Sequence, residues 1–226
     1  MAGLSLVSMP GWAEEGVKAT AELGLVTTTG NTETQTLRGK LGVSHQHGKW
    51  QNSSNFESLK TSDQNATTAE KYLLDGKSEY RFSEHNYAFA TLQYEDDRFS
   101  GYDYRIQGSA GYGRRLLHHD TVTLDAETGP GARSSKLSAN GTENELTWRF
   151  AGLLAWDVSK TAKFSENLSA DFGQDANIIK SVTALQAQVA GSLAMKLTYT
   201  VKYTSNVPVG IKKTDTESAV TLVYGF

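Results

Sequence analysis

Five histidines, 25 Asp and Glu and 22 Lys and Arg, with no cysteine, are the side chains of this 226-residue chain best able to do chemistry. Without thiols there is no disulfide framework, no thiolate zinc site and no cysteine nucleophile. A serine hydrolase needs a Ser and a His within hydrogen-bond reach and a third polar group to orient the imidazole. Ser44 adjoins His45 and Ser83 lies close to His85, but adjacent positions of an extended strand point to opposite faces. His47, His118 and His119 also fall at short turns without an evident orienting partner. Solvated turn histidines are the expectation, with a metal site at His118 and His119 as the alternative. Glu95-Asp96-Asp97 offers oxygen ligands of the kind Ca2+ takes, without EF-hand spacing. An acidic external loop in which Arg98 pairs one carboxylate is the simpler reading. No catalytic residue, metal ligand or cofactor is assigned.

Most of the charged residues follow a different rule. They recur at every second position opposite apolar ones, the period-2 signature of a strand with two unlike faces. Val17, Ala19, Ala21, Leu23 and Leu25 alternate with Lys18, Thr20, Glu22 and Gly24, and Leu37, Leu41 and Val43 oppose Arg38, Lys40 and Ser44. Tyr72, Leu74, Tyr80 and Phe82 stand against Lys71, Asp75, Lys77, Glu79 and Arg81. Tyr102, Tyr104, Ile106, Ala110 and Tyr112 stand against Asp103, Arg105, Gln107, Ser109 and Arg115, and Val122, Leu124 and Ala126 against Thr123, Asp125 and Glu127. The strongest alternation sets Leu146, Trp148, Phe150, Leu154, Trp156 and Val158 against Glu145, Thr147, Arg149 and Asp157. Lys163 and Asp171 complete the charged set. Its signs nearly balance, and so many ionised groups could hardly fill a dry core. They are expected to line a lumen while the apolar face meets lipid.

The elements that must position them are strands throughout. Residues 17–26, 34–46, 50–59, 72–82, 87–94, 102–115, 121–128 and 145–158 read as strands, followed by others at 164–172, 178–189, 197–203 and the C-terminus. The third is poor in apolar residues and the fifth is aromatic-rich with ambiguous parity. The polar stretches 61–68, 95–102 and 129–142 read as loops, and 47–50, 83–86, 116–120 and 159–162 as short turns. This predicts an all-β fold: a transmembrane, antiparallel, up-and-down β-barrel of about 12 strands with both termini periplasmic. A soluble double sheet would need polar outward faces. A hydrophobic share of 38% and a mean hydropathy of −0.44 suit a barrel, whose alternation dilutes its apolar content. A net charge of −3 argues against a nucleic-acid partner.

Both ends carry address-like features. Residues 1–13 hold a short apolar run and small residues around Gly11-Trp12-Ala13, as in a signal peptide trimmed of its basic start. Residues 14–226 are then a single barrel domain. At the far end, Val220, Leu222, Tyr224 and Phe226 share one strand face, and the chain ends on an aromatic. That ending resembles the signal read by the barrel-assembly machinery and suits a ring placed at the membrane interface.

The run Tyr94, Glu95, Asp96, Asp97, Arg98, Phe99, Ser100, Gly101 and Tyr102, continued by Asp103-Tyr104-Arg105, carries a family likeness. Together with Gly30-Asn31-Thr32 and the closing Val223-Tyr224-Gly225-Phe226, it resembles the YdiY-like bacterial family of salt-induced outer-membrane proteins, whose activity is unsettled. The resemblance spans the mature chain and implies an outer-membrane barrel of a Gram-negative envelope. It implies no reaction and no mechanism for a salt response.

Two functional expectations follow from the lumen. Balanced charges can pair across a barrel of this size, giving a narrow channel or a structural, stress-related barrel. The alternative is a diffusion channel for small or acidic solutes, porin-like in the manner of oligosaccharide channels. An outer-membrane lipid hydrolase is the third and least supported reading. Membrane lipid and lipopolysaccharide are the expected surroundings, with Arg98, Lys136, Lys212 and Lys213 at the rim to meet phosphates. The barrel is expected to be monomeric.

Overall fold

A computed structural model describes residues 16–29, 34–63, 66–97, 102–137 and 141–225. The signal-like segment 1–13, Gly30-Asn31-Thr32, Arg98 to Gly101 and Phe226 lie outside the described residues. The strands are β1 (Gly16–Thr29), β2 (Thr34–His47), β3 (Trp50–Asp63), β4 (Ala66–Arg81), β5 (Asn86–Asp97) and β6 (Tyr102–His118). They continue with β7 (Val122–Leu137), β8 (Gly141–Asp157), β9 (Ala162–Gly173), β10 (Ile178–Ala190), β11 (Leu193–Thr204) and β12 (Thr214–Gly225). Each pairs antiparallel with its sequence neighbours, and β12 returns to β1 through Leu25↔Val220, Leu23↔Leu222 and Ala21↔Tyr224. The ring is therefore a closed barrel of twelve strands with no unpaired edge.

Alternation decides the two surfaces. Leu25 is 68% exposed and Leu146 74% exposed on the outside, whereas Lys180 and Glu57 are 2% and 3% exposed on the inside. Apolar residues out and charges in is the reverse of a soluble sandwich and the arrangement of a membrane barrel. Aromatic pairs gather at both ends of the wall. Trp50–Tyr80 (ring centroids 5.0 Å apart) and Trp156–Phe164 (6.5 Å) lie near the end that carries the termini. Tyr94–Tyr104 (6.2 Å) and Phe150–Phe172 (6.1 Å) lie near the other. Such girdles place amphipathic rings at the two interfaces.

Three stretches expected to be loops are largely strand. β3 and β4 run on to Asp63 and back from Ala66, β5 extends through Asp97, and β7 continues to Leu137 with β8 starting at Gly141. In the last case Gly129-Pro130-Gly131 has turn composition, yet the sheet absorbs it. Pro130 keeps its place opposite Trp148 of β8, while the β6–β7 ladder passes from Ser109↔Gly131 to Tyr112↔Thr128 with no pair between. A proline without an N–H is tolerated at such a gap. There the backbones of Gly111 and Gly129 close on each other, so that a Cβ on either would strike the other's Cα.

Parity also corrects two residues. The β6–β7 register shifts between Tyr102 and Tyr104, so Tyr102 turns inward and is 8% exposed, not outward with Tyr104. Asp103, expected to line the lumen, instead has its side chain 44% exposed and 3.6 Å from Lys136. In β5 the ambiguity resolves with Tyr87 and Phe89 buried inside and Leu92 and Tyr94 outside. The Tyr87 ring covers Gly113 of β6, where a Cβ would collide with it.

Candidate functional site: the charged lumen

The inward positions of all twelve strands converge on one charged interior. Neighbouring strands pair Arg115 with Asp125 (2.8 and 2.9 Å), Arg149 with Asp171 (2.9 Å) and Arg133 with Glu145 (2.5 Å). Within β4, Glu79 takes both Lys77 (2.9 Å) and Arg81 (3.0 Å). Other pairs reach over a strand: Lys196 of β11 binds Glu22 of β1 at 2.6 Å, and Arg38 of β2 binds Glu217 of β12 at 2.8 Å besides Glu57 at 2.5 Å. Lys77 also pairs Glu127 of β7, whose carboxylate accepts the Tyr87 hydroxyl at 2.8 Å. Asp75 accepts the Asn55 side-chain amide at 2.8 Å.

Among the described residues one pair crosses the barrel. Lys202 Nζ on β11 lies 2.9 and 3.1 Å from the two carboxylate oxygens of Glu95 on β5. These strands stand six places apart in a ring of twelve, on opposite walls. The walls must therefore approach within the combined reach of one lysine and one glutamate. Lys71 adds a second cation to the Glu95 carboxylate at 3.6 Å, and it also lies 4.0 Å from Asp97. Arg105 is the register neighbour of Glu95, and Lys180 that of Lys202.

The crossing sits between separate spaces. Toward the end with the termini, a cavity of about 190 Å³ is lined by Glu22, Lys40, Asn55, Asp157, Lys163 and Lys196. A space of about 50 Å³ beside it is lined by Asp75, Lys77, Gln93, Gln107, Glu127 and Arg149. At the opposite mouth, about 150 Å³ is bounded by Tyr102, Arg105, Arg133, Glu145, Asp175 and Asn206. Arg133 donates to the Ala176 carbonyl and Glu145 accepts the Asp175 N–H at 2.8 Å, drawing the β9–β10 connection over that mouth.

Of the charged residues singled out in the sequence, Glu22, Arg38, Lys40, Lys71, Asp75, Lys77, Glu79, Arg81, Arg105, Arg115, Asp125, Glu127 and Arg149 lie on the lumen side. Asp103 does not. Glu95, read as part of an external loop, is a 5% exposed lumen residue bound to Lys202 and Lys71. It belongs to β5 because its backbone is paired on both sides, to Leu73 and to Arg105. Val220, Leu222 and Tyr224 occupy the outer face of β12. Ser44 and His45 point to opposite faces, and His45, His85, His118 and His119 are exposed at the end with the termini. Among the described residues no group of three or more His, Asp or Glu is placed to hold a metal ion.

Lys180, Lys196, Lys202, Arg133, Glu57 and Glu217 were not anticipated. Lys196 and Lys202 alternate with Leu197, Tyr199, Val201 and Tyr203, and Glu217 with Val220 and Leu222, so counting by two from the apolar face finds them. Arg133 was hidden by the Gly-Pro-Gly signal.

A closed barrel with an apolar wall, two aromatic girdles and a charged interior defines the porin-like outer-membrane fold. Solved structures agree at the level of fold. The NanC porin superposes with a TM-score of 0.61 at 9% identity over 90% of this chain and 98% of its own. An outer-membrane channel from Pseudomonas putida F1 gives 0.60 at 10% identity over the whole of both chains. The KdgM porin in complex with disordered oligogalacturonate gives 0.53 at 12% identity over 92% of this chain and 99% of its own. The chain belongs to the family of proteins of unknown function DUF481, matched over residues 21–226. An uncharacterized relative, YdiY of Escherichia coli K12, is 28% identical over 221 residues, 95% of this chain and 85% of that protein.

Proposed function

We propose that this protein is a narrow channel of the outer membrane, with its termini on the periplasmic side and its conductance limited by the Glu95–Lys202 crossing. The carrying observation is the 2.9 Å contact between opposite walls, because a strut at that place divides the lumen between mouth and terminal end. The likeness to porins supports placement in the outer membrane. Exposed Lys212 and Lys213, with Lys136, suit lipopolysaccharide phosphates at the mouth. The outer face of β12 suits docking to the assembly machinery, and the barrel acts as a monomer. No reaction is assigned.

The test is conductance of the refolded protein in planar bilayers. Wild-type protein is expected to give small steps, and Glu95→Gln with Lys202→Gln larger ones, since the side chains remain but no longer attract. Silence of both proteins would defeat the channel reading and leave a structural barrel, the second reading, which the many short-range ion pairs favour.

A further inference from the structure

The balance of charges inside the barrel conceals an asymmetry in how they are used. Among the described residues five carboxylates in the interior are buried, namely Glu57, Glu79, Glu95, Glu127 and Asp171, and each has a cation within ion-pair distance. Six cations are buried to the same degree. Arg38, Arg133 and Lys196 have carboxylate partners, but among the described residues Lys40, Arg105 and Lys180 have none within ion-pair distance, although Glu22 and Glu57 are the cross-strand neighbours of Lys40 and Glu95 that of Arg105. Among the described residues Arg105 reaches the Ser135 hydroxyl at 3.3 Å and the face of the Tyr102 ring at 4.2 Å. Lys180, 2% exposed, has cationic Lys202 as its cross-strand neighbour, and Lys202 has already given its charge to Glu95.

Arg105 and Lys180 flank the crossing, and Lys40 lies apart from it toward the terminal end. Arg105 borders the mouth cavity, Lys180 stands in the layer of the crossing and Lys40 lines the cavity on the terminal side. A buried, unpaired cation is costly unless an anion reaches it. None of the five buried carboxylates lies within ion-pair distance of these three cations, so a small anion entering the lumen meets positive charge that no direct ion pair has taken up. A series of such positions, each favourable enough to enter and weak enough to leave, is the arrangement conduction requires.

We infer that Arg105, Lys180 and Lys40 form successive binding positions for a small carboxylate-bearing solute, so that the lumen prefers anions although its formal charges nearly cancel. This rests on the channel reading for transport, but not for binding. Arg105 and Lys180 hold the solute on either side of the Glu95–Lys202 strut, and its carboxylate competes with Glu95 for Lys202.

The test uses the full refolded chain and two measurements. Under a KCl gradient the reversal potential is expected to show chloride preferred over potassium. Calorimetry in detergent is expected to detect glucuronate but not glucose, with Lys180→Gln binding it about tenfold more weakly and Lys180→Arg retaining it. Urea midpoints near wild type identify variants that still fold. Currents with potassium preferred, or anion preference and glucuronate binding unchanged in the Lys40→Gln, Arg105→Gln, Lys180→Gln triple variant, would overturn the inference. Glucuronate binding that Lys180→Gln weakens in a protein without current would uphold the site while removing the channel reading; neither current nor binding would remove both.

Discussion

Arg38 of β2 donates one guanidinium nitrogen to Glu217 of β12 at 2.8 Å and another to Glu57 of β3 at 2.5 Å, passing over β1 on the inside of the wall. The first hairpin and the last strand are thus tied by side chains as well as by the β1–β12 ladder. Beside this tie Val26, Leu59 and Ala219 form a small apolar cluster. The seam is where a barrel must close after the whole chain has been made, so a charge clamp there opposes fraying of the two terminal elements.

Removing that clamp takes from Glu57 and Glu217 the one cation that binds both. Arg38→Met is expected to lower the unfolding free energy by about 3–5 kcal/mol, read from urea titration of the protein refolded into phospholipid vesicles. Adding Glu57→Gln and Glu217→Gln should restore much of the loss. An unchanged midpoint for Arg38→Met would show that the clamp contributes nothing to closure.

The close approach of Gly111 and Gly129 makes a sharp comparison with glycines in open space. Gly111→Ala drives a methyl against the Gly129 Cα and the Thr128 carbonyl, whereas a Cβ at Gly39 or Gly152 meets no atom within 4 Å. Gly111→Ala is expected to cost about 1–3 kcal/mol and Gly39→Ala almost nothing, in the same urea titration. Equal effects would contradict the packing described for β6 and β7.

Glu166 is a carboxylate on the outer wall. It lies between Phe164 and Leu168 of β9 and accepts the hydroxyls of Ser181 at 2.6 Å and Thr183 at 2.5 Å. Acidic groups on the lipid face destabilise barrels in a depth-dependent way. Glu166→Gln keeps an acceptor and removes the carboxylate, and it is expected to raise stability by about 1 kcal/mol in vesicles. A lower midpoint would mean that this face does not meet hydrocarbon.

Tyr87 is 1% exposed and its hydroxyl serves the Glu127 carboxylate, which Lys77 also binds. Tyr87→Phe keeps the ring over Gly113 and deletes one hydrogen bond to a charged group. The expected loss is about 1.5–3 kcal/mol. A loss restored by also introducing Glu127→Gln would assign the effect to that bond.

Much of this barrel is legible by counting residues in twos. Leu23 and Leu25, Leu37 and Leu41, and Trp148 and Phe150 announce the outer wall, and the lysines and arginines between them announce the inner one. Where counting failed, local composition outweighed periodicity: Glu95 to Asp97 and Gly129 to Leu137 lie in stretches rich in turn-forming residues. A strand with neighbours on both sides can nevertheless carry them, because its hydrogen bonds are supplied by the partners. Asp103 failed for a narrower reason, since one register irregularity reverses every face beyond it.

The sequence by itself determined, for most strands, which side is apolar and which carries charge, because the two-residue repeat of an extended backbone is local and needs no partner. Only the tertiary structure decided that Lys202 meets Glu95 and that Arg38 meets Glu217. Those contacts are between residues 107 and 179 positions apart, and they depend on ring closure and strand stagger. The same geometry decided that, among the described residues, Lys40, Arg105 and Lys180 have no carboxylate within ion-pair distance. A tally of charges near zero cannot reveal that, because neutrality is a sum and pairing is a matter of geometry.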